Sequence, residues 1–571
     1  MHADPQPRHC NIAAALPAMA LRQPDAIAIR CPSGIDASGQ VRYDIVLTYA
    51  ELESRSNAIA AALARAGIGR GTRTALMVRP SPELFLLMFA LFKAGAVPVL
   101  IDPGIDKRAL KACLDEAAPE AFIGIPLAHA ARTVLGWGRR SCKILVTLGR
   151  RWFWGGHTLQ RLLSDSRDDR FTMVNTQAEE MAAILFTSGS TGVPKGVVYR
   201  HRHFVAQVEM LRSALDITAG GVDLPTFPPF ALFDPALGLT SIIPDMDPTR
   251  PAKADPRKLV DAIRRFKVTQ MFGSPALLDT LSRHGAAHDI QLQSLKRVMS
   301  AGAPVPPAVV ERMRRMLADD ANIYTPYGAT ECLPVTIIEA RQLQATRAAT
   351  EQGAGTCIGH PVPPNEVRLI RVGDDAIAEW SDDLLVAAGA VGEIVVAGPT
   401  ATDAYFARPQ ATTLAKIREH LPDGSSRILH RMGDLAWCDE QGRLWFCGRK
   451  SQRVETPQGP LYTEQIEPVF NTHPKVRRSA LVGVGKKGAQ RPILCVEPTP
   501  GTRKSTLASL ESELRTLAQR YPHSAAITTI LFHPGFPVDI RHNAKIGRET
   551  LARWAAKQLR RTRQTLGKVP P

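Results

Sequence analysis

Apolar and polar positions follow two different periods along the first part of the chain. Residues 48–66 repeat apolar side chains at helical spacing, whereas the run at 74–78 is short and strand-like. The most apolar stretch, 84–101, is divided by Lys93, Gly95 and Pro98 into a helix-like part and a strand-like part. We therefore predict a buried helix that leads into a strand, and no transmembrane segment. Alternation of helices and strands predicts an α/β fold.

A change of pattern near residue 450 indicates a junction between domains. The strand-like sequence RLWFCG ends just before Arg449, a polar stretch follows, and a smaller region with a predicted helix at 507–520 comes after it. A chain of 571 residues also exceeds the usual size of one hydrophobic core. We predict a large N-terminal α/β domain of several subdomains at 1–450 and a small mobile α+β domain at 451–571.

The formal net charge of +17 raises the question of an anionic partner. Residues 541–571 hold nine Lys or Arg against one Glu, so this tail supplies +8 of the total. We expect no nucleic-acid partner, because no zinc-finger, RNA-recognition or basic-zipper pattern accompanies the charge. A solvated helix end, or docking to an acidic partner or lipid surface, remains open. Nine cysteines without a C-x-x-C pair indicate reduced thiols and a cytoplasmic location.

The sequence TSGSTGVPKGV at 187–197 carries the clearest chemical signal. It follows an apolar run and combines three glycines with four hydroxyl side chains, a proline and a lysine. Glycines let backbone N–H groups approach phosphate oxygens, and a lysine adds positive charge. It is not a Walker A loop, since Val193 and Pro194 separate the second glycine from the lysine. We predict phosphate contacts from Thr187, Ser188, Gly189, Ser190, Thr191, Gly192 and Lys195.

Six further motifs follow this loop in a familiar order. They are SAGAP at 300–304, YTPYGATE at 324–331, GEIVVAGP at 392–399, RMGDL at 431–435, FCGR at 446–449 and RHNAKIGR at 541–548. Over nearly its whole length the sequence resembles the adenylate-forming superfamily of acyl-CoA synthetases, nonribosomal peptide adenylation domains and luciferases. The resemblance implies an enzyme that uses ATP and Mg²⁺ to activate a carboxylic acid as an acyl-AMP.

The resemblance also implies roles for individual residues. Glu331, with Thr330, would hold Mg²⁺. Asp434 would accept hydrogen bonds from the ribose hydroxyls, and Lys545 would be the catalytic lysine that offsets repulsion between carboxylate and triphosphate. Thr187 and Glu331 are counted with Lys545 as catalytic. The remaining implied nucleotide contacts are Gly302, Ala303, Pro304, Tyr327, Gly328, Ala329 and Arg449.

The segment FPPFALFDPALG at 227–238 departs from the superfamily pattern. A histidine is common here in relatives, but none occurs between His203 and His284. Phe230 and Phe233 predict an apolar acyl channel, with plain core packing as the alternative, and Asp234 beside them has no role from sequence. Ser451 stands where many relatives have an acidic or lysine pivot between two orientations of the C-terminal domain, and residues 453–467 match the thiol-contacting segment of relatives only loosely. Both departures weaken a thiol-ligase interpretation.

Residues 227–256 resemble the β-lactone synthetases of bacterial long-chain olefin biosynthesis. This likeness implies that a long-chain 2-alkyl-3-hydroxy acid is adenylated and then closed by its own β-hydroxyl to a β-lactone, with release of AMP and pyrophosphate. It also implies partnership with a reductase, a β-lactone decarboxylase and a thiolase-like condensing enzyme, and peripheral membrane contact is left open. The alternatives are a long-chain acyl-CoA or acyl-AMP ligase, and a basic binding protein without turnover.

Overall fold

The computed structural model describes residues 10–102, 105–165, 171–187, 194–538 and 546–566. Its α-helices are α1 (Ala15–Arg22), α2 (Tyr49–Arg65), α3 (Pro82–Lys93), α4 (Lys107–Ala117), α5 (Pro126–Leu135), α6 (Leu159–Ser164), α7 (His201–Ala214), α8 (Asp234–Leu237), α9 (Pro256–Arg265), α10 (Pro275–Ala287), α11 (Pro307–Met316), α12 (Ala340–Ala345), α13 (Arg347–Glu351), α14 (Pro409–Ala415), α15 (Thr463–Asn471), α16 (Leu507–Ala518) and α17 (Arg548–Leu566).

The strands of the first half lie between these helices. They are β1 (Ile27–Cys31), β2 (Gly34–Ile35), β3 (Val41–Arg42), β4 (Ile45–Thr48), β5 (Arg73–Met77), β6 (Val97–Ile101), β7 (Ala121–Gly124), β8 (Ile144–Thr147), β9 (His157–Thr158), β10 (Met181–Thr187), β11 (Lys195–Arg200), β12 (Val222–Pro225), β13 (Thr240–Ile242), β14 (Gln270–Phe272) and β15 (Arg297–Met299).

Most strands of the second half follow one another without a long helix. They are β16 (Asn322–Ala329), β17 (Cys332–Glu339), β18 (Thr356–Pro361), β19 (Glu366–Ile370), β20 (Gly392–Ala397), β21 (Lys416–His420), β22 (Ser426–Cys438), β23 (Leu444–Arg449), β24 (Val454–Thr456), β25 (Gly459–Leu461), β26 (Val476–Val484), β27 (Arg491–Pro498) and β28 (Thr529–Phe532).

The predicted elements of the first part are confirmed. Helix α2 begins at a capping box, in which Thr48 and Glu51 exchange side-chain and backbone hydrogen bonds. The apolar stretch forms helix α3 followed by strand β6. Lys93 ends α3 fully buried, and its Nζ donates to Glu53 Oε2 at 2.6 Å and Ser56 Oγ at 2.7 Å on α2. Across the described ranges, no helix combines the length and apolar character needed to cross a bilayer.

Two large sheets form the body of the protein. One has the order β11-β10-β6-β5-β7-β8-β9 and is parallel except for the β10–β11 pair. The other has the order β19-β20-β22-β23-β18-β17-β16-β15-β14-β12-β13-β1-β4, with β21 paired to β22. Its segment β13-β12-β14-β15-β16 is parallel, so the carboxyl ends of these strands meet at one edge. Ligands bind at such edges in many α/β proteins.

A smaller unit follows strand β23. Strands β26, β27 and β28 form a sheet of their own. Helices α15 and α16 cover one face through Phe470 and Leu514, and α17 covers the other through Leu551 and Ala555. The large N-terminal α/β domain and smaller C-terminal domain confirm the predicted fold class.

Candidate functional site

One large cavity connects most of the residues singled out in the sequence. It has a volume of about 3250 Å³. Strands of both large sheets line it, through Leu100, Phe186 and Met299 among others, and Ile546 and Arg548 of the C-terminal domain also border it. The cavity is therefore bounded by all three main sheet-bearing parts of the fold.

The predicted phosphate loop connects two adjacent strands that run in opposite directions. Thr187, the last residue of β10, is paired with Lys195, the first residue of β11. The five residues Ser188, Gly189, Ser190, Thr191 and Gly192 lie outside the described residues. Lys195 lines the cavity, and its Nζ is 4.9 Å from the centre of the Tyr405 ring. This cation–π contact holds the ammonium group at the base of the loop.

Glu331 lies at the centre of a hydrogen-bonded cluster. Thr330 and Glu331 form the turn between β16 and β17. Glu331 Oε1 accepts a hydrogen bond from the Tyr405 hydroxyl at 2.8 Å, and its backbone carbonyl accepts one from Thr402 Oγ1 at 2.8 Å. Burial lowers the pKa of the neighbouring Lys416 to about 8, and the charge of Glu331 opposes that shift. These contacts hold the carboxylate beside the cavity.

The protein part of this cluster fits a Mg²⁺ ion that is bound together with phosphate. Thr330 and Glu331 both line the cavity. Among the described residues, no three His, Cys, Asp or Glu side chains are grouped so as to hold a metal alone. Mg²⁺ on a nucleotide is usually held by one or two carboxylates, with phosphates and water supplying the other oxygens. Glu331 provides such a carboxylate, with Oε2 as the candidate ligand atom.

The backbone around Glu331 is fixed from two sides. Tyr199 donates its hydroxyl hydrogen to the Thr330 carbonyl at 2.6 Å. A side chain at Gly328 would place its Cβ only 2.8 Å from the Cys332 carbonyl oxygen, so this position accommodates glycine alone. Gly328 and Ala329, two of the predicted nucleotide contacts, both line the cavity.

Asp434 is held between an aromatic hydroxyl and a guanidinium group. Tyr327 donates its hydroxyl hydrogen to Asp434 Oδ2 at 2.6 Å, and Arg449 Nη1 lies 3.1 Å from Asp434 Oδ1. Asp434 and Arg449 are paired residues of the adjacent strands β22 and β23. Burial raises the pKa of the Asp434 carboxyl, and the charge of Arg449 partly offsets this. Asp434 and Tyr327 are thus coupled, a relation that the sequence motifs do not reveal.

The predicted adenine-side wall follows strand β15. Gly302 has a φ of +92°, a conformation that glycine adopts without strain, and with Ala303 and Pro304 it lines the cavity. Tyr327 lines the same cavity, and its ring centre is 6.0 Å from that of Phe446. The wall, the aromatic ring and Asp434 therefore face one space.

Phe230 and Phe233 lie in a more apolar part of the cavity. Both line it, and the Phe230 ring also meets the Phe272 ring edge to face, with centres 4.7 Å apart. Phe233 packs near Phe204, with ring centres 6.3 Å apart. These side chains pack against other aromatic rings and also border the cavity. Core packing and a lining role, the two alternatives drawn from the sequence, are therefore compatible for both residues.

Lys545 lies outside the described residues, but the residues that flank its segment are described. Val538 and Ile546 form an antiparallel bridge on either side of residues 539–545. Val538, Ile546 and Gly547 all line the cavity. The described residues on both sides of the segment therefore lie at the cavity wall.

Sequence reasoning missed several residues of the site. Tyr405, Tyr199 and Lys416 contact the Glu331 cluster, yet none belongs to a motif singled out above. Asp223 and Gln270 also line the cavity, near Asp234. Only Asp234 gave a signal, as an acidic residue in an otherwise apolar segment.

The fold and these residues define an enzyme that binds a nucleotide beside an apolar chamber. The chain belongs to the AMP-binding enzyme family, whose family model matches residues 16–406. It is 64% identical to the olefin beta-lactone synthetase of Xanthomonas campestris pv. campestris over 96% of this chain and 98% of that protein. It is also 64% identical to the olefin beta-lactone synthetase of Stenotrophomonas maltophilia, over 97% of this chain and 99% of that protein.

More distant relatives share the family and the fold. Identity is 28% to the long-chain-fatty-acid–CoA ligase of Salmonella typhimurium, over 81% of this chain and 83% of that protein. Among solved structures, amide bond synthetase McbA from Marinactinospora thermotolerans has a TM-score of 0.74 at 22% identity, covering 95% of this chain and 99% of that chain. O-succinylbenzoate coenzyme A synthetase from Bacillus subtilis, in complex with AMP, has a TM-score of 0.71 at 19% identity, covering 94% of this chain and 97% of that chain. These two structures support the fold alone.

Proposed function

We propose that the protein is an AMP-forming ligase that converts a long-chain 2-alkyl-3-hydroxy acid to a β-lactone, with AMP and pyrophosphate as the other products. One observation carries this proposal: the 64% identity to two olefin beta-lactone synthetases over nearly the whole chain. The long-chain-fatty-acid–CoA ligases, which represent the alternative of thioester formation, are 28% and 27% identical to this chain. The likeness therefore favours lactone formation over thioester formation.

The first step joins two negatively charged reactants. The substrate carboxylate attacks the α-phosphorus of ATP, the acyl–phosphate bond forms, and pyrophosphate leaves. Two unit charges about 4 Å apart repel by roughly 4 kcal/mol at an effective dielectric of 20. Lys195 at the base of the phosphate loop and Lys545, which we propose as the catalytic lysine, would offset this repulsion. Bound Mg²⁺ would neutralise phosphate charge beside Glu331.

Asp434 and Arg449 support a role in nucleotide binding. We propose that Asp434 accepts hydrogen bonds from the ribose hydroxyls while the Tyr327 hydroxyl and Arg449 hold its carboxylate in position. Gly302, Ala303 and Pro304 would face the adenine. Since all of these residues line one cavity, a single bound nucleotide can meet them together.

The second step is intramolecular. The β-hydroxyl oxygen attacks the acyl carbon, the bond from that carbon to the AMP oxygen breaks, and the hydroxyl proton must be taken up. Holding the hydroxyl against the acyl carbon replaces an intermolecular nucleophile, a gain measured as effective molarities of 10⁵–10⁸ M in well-oriented systems. An apolar wall near Phe230 and Phe233 suits both the alkyl branches and the exclusion of competing water.

Further parts of the proposal concern the chain as a whole. We place the domain junction at 450/451, directly after the Arg449 contact, with a mobile C-terminal domain. A cytoplasmic location agrees with nine cysteines that are all free. The olefin-pathway reductase, decarboxylase and condensing enzyme are the proposed partners, and a basic surface is the proposed basis of any membrane contact.

Product analysis tests the proposal. Purified protein is incubated with ATP, Mg²⁺ and a long-chain 2-alkyl-3-hydroxy acid, with and without coenzyme A, and the products are identified by mass spectrometry. We expect β-lactone and AMP in both reactions. A thioester that forms only with coenzyme A, with no lactone in either reaction, would identify an acyl-CoA ligase instead. Absence of AMP with every acid would favour the basic binding protein.

A further inference from the structure

Two buried carboxyl groups lie in the apolar part of the cavity. Asp223 and Asp234 are 3% and 2% exposed and both line the cavity. Apolar side chains line the same cavity, among them Leu211, Leu215, Ile217, Leu232, Leu237 and Ile243. A few placed polar groups in an apolar pocket usually recognise a polar group of the ligand.

The sheet fixes the position of this acidic pair. Asp223 of β12 is paired with Ser241 of β13 on one side and with Gln270 of β14 on the other. Paired residues of parallel strands project to the same face, so these side chains form a polar row across three strands. Asp234, at the start of α8, joins the row because Ser241 donates its hydroxyl hydrogen to Asp234 Oδ2.

The row contains acceptor atoms whose partner is missing. Within the described residues, Asp223 Oδ1 and Gln270 Oε1 are buried and accept no hydrogen bond. Buried polar atoms are nearly always hydrogen-bonded, and leaving one unpaired costs about 1–3 kcal/mol. A proton shared with Asp234 can pair Asp223 when one carboxyl is protonated, whereas Gln270 Oε1 keeps no donor among the described residues. Both residues line the cavity, so a ligand group that enters it can approach this row. A hydroxyl group supplies such a donor in an otherwise apolar molecule.

The two carboxyl groups share a proton. Their side chains are in hydrogen-bonding contact, which requires one of them to be protonated. Burial raises the pKa of both groups, and the charge of one disfavours ionisation of the other. Burial, together with the charge of Asp234, raises the pKa of Tyr49 on α2, while Ser241 and Gln270 contribute hydrogen bonds to the pair. Neither carboxyl forms an ion pair with any described cationic side chain.

We propose that Asp223 and Asp234 form the site that receives the β-hydroxyl group of the substrate and accepts its proton during ring closure. This inference rests on the proposed function and names a residue pair for the step that the superfamily motifs leave without a base. Gln270 would act as a positioning residue, since it borders Asp223 in the row.

The step balances without a further reactant. The β-hydroxyl oxygen forms a bond to the acyl carbon, and its O–H electron pair stays on that oxygen. The proton passes to the ionised carboxylate of the pair. The acyl carbon releases AMP, which keeps the electron pair of the broken C–O bond. Proton transfer by a positioned side chain typically contributes about 10²- to 10⁴-fold in rate.

Paired substrates separate this role from a structural one. The variants Asp223→Asn and Asp234→Asn are assayed with the 2-alkyl-3-hydroxy acid and with the same acid lacking the hydroxyl group. With the deoxy acid, we expect pyrophosphate exchange into ATP within about threefold of wild type. With the hydroxy acid, we expect lactone formation to fall by about 10²- to 10⁴-fold. Asp247→Asn is the matched control, because Asp247 lines the same cavity but accepts its hydrogen bonds from Thr249.

A pH profile adds a second readout. In the wild-type protein, lactone formation should decrease as the pH falls and the pair takes up its second proton, whereas exchange with the deoxy acid should not follow that profile. Lactone formation at the wild-type rate in both variants would overturn the inference, as would equal loss of exchange with both acids. If one of the two variants does not fold, the result for the other variant still tests the inference, because sharing a proton requires both carboxyl groups. Failure of the wild-type protein to form any lactone would instead contradict the proposed function.

Discussion

The Tyr405 hydroxyl donates a hydrogen bond to Glu331 Oε1 at 2.8 Å, and the same ring lies 4.9 Å from Lys195 Nζ. One aromatic side chain therefore connects the predicted metal-binding carboxylate to the predicted phosphate-binding ammonium group. The connection crosses from the strand after the phosphate loop to the turn between β16 and β17. It explains how two motifs far apart in sequence keep a fixed spacing.

Substitutions of Glu331 and Tyr405 should lower the rate of pyrophosphate exchange by unequal amounts. We expect Glu331→Gln to lower pyrophosphate exchange by about 10²- to 10³-fold, because a preorganised charge is lost. Tyr405→Phe removes one hydrogen bond to the carboxylate and should cost about 10- to 150-fold, equivalent to about 1.5–3 kcal/mol. Initial rates measured over a range of Mg²⁺ concentrations test both. Glu209→Gln, at an exposed position on α7, is the control. Equal rates in Glu331→Gln and wild type would contradict the proposed role.

Lys545→Ala should largely abolish adenylation while ATP still binds. The expected loss of about 10²- to 10³-fold follows from removing one positive charge at the reacting phosphate. Pyrophosphate exchange measures adenylation, and equilibrium binding of a nonhydrolysable ATP analogue measures affinity. Lys557→Ala on α17 is the matched control from the same basic tail. Wild-type exchange in Lys545→Ala would exclude this lysine as the catalytic group.

Tyr327→Phe should weaken ATP binding more than it changes the maximal rate. The substitution removes the hydroxyl that donates to Asp434 Oδ2, so the buried carboxylate loses a fixed partner. Loss of a hydrogen bond to a charged group costs about 1.5–3 kcal/mol, which is roughly a 10- to 150-fold rise in KM for ATP. Steady-state kinetics at saturating acid separate KM from kcat. A fall in kcat with unchanged KM would place the role of Tyr327 elsewhere.

Arg431→Leu should destabilise the folded protein. Arg431 Nη2 lies 2.7 Å from Glu393 Oε2, and both side chains are nearly fully buried. Arg431→Leu leaves the buried Glu393 with Lys450, whose Nζ lies 2.9 Å away, so we expect a loss below the about 3–5 kcal/mol that a fully uncompensated buried charge costs. Urea unfolding at neutral pH measures the loss. The double variant with Glu393→Leu should recover part of it, and no recovery would argue against the pair as the cause.

Acid should destabilise the protein through His203. This residue is fully buried, and Arg200 donates its backbone N–H to His203 Nδ1 at 2.9 Å. Burial lowers the pKa of His203 from 6.5 to about 3. Below pH 6.5 the unfolded chain therefore binds a proton at His203, whereas the folded chain does not bind it until about pH 3. The free energy of unfolding decreases as the pH falls through this window, because protonation favours the unfolded chain.

The variant His203→Asn tests this linkage. It keeps an acceptor for Arg200 but cannot be protonated. We expect its free energy of unfolding to depend less on pH between 6.5 and 4, with the slope reduced by up to about 1.4 kcal/mol per pH unit. Chemical denaturation at several pH values measures the slope. His157→Asn, at an exposed strand residue, serves as control. An unchanged slope in His203→Asn would contradict the assignment.

The elements that local sequence determines were predictable. Thr48 and Glu51 form the capping box that starts α2, and Pro98 lies in the strand that follows the predicted buried helix. Asp434 and Arg449 could be placed together by resemblance, because each belongs to a motif. Such features depend on neighbours in sequence or on a recognisable segment.

The contacts that depend on strand order could not be predicted. Tyr405 meets Glu331 across 74 residues, and no motif marks the tyrosine. Asp223 and Asp234 come together because β12, β13 and β14 are adjacent in the sheet, an order that spacing along the chain does not specify. Asp234 could be noticed as unusual in sequence, but its partner could be found only in the fold.

Glu393 contacts Lys450 as well as Arg431, with Lys450 Nζ 2.9 Å from its carboxylate. Two motif segments, and Lys450 directly after a third, therefore share one buried charge balance. In evolutionary divergence, a substitution at any of the three positions would persist only with a compensating change at another. Covariation among homologues should link 393, 431 and 450, and a homologue that keeps Asp434 but has lost Arg431 should show a matching replacement at Glu393.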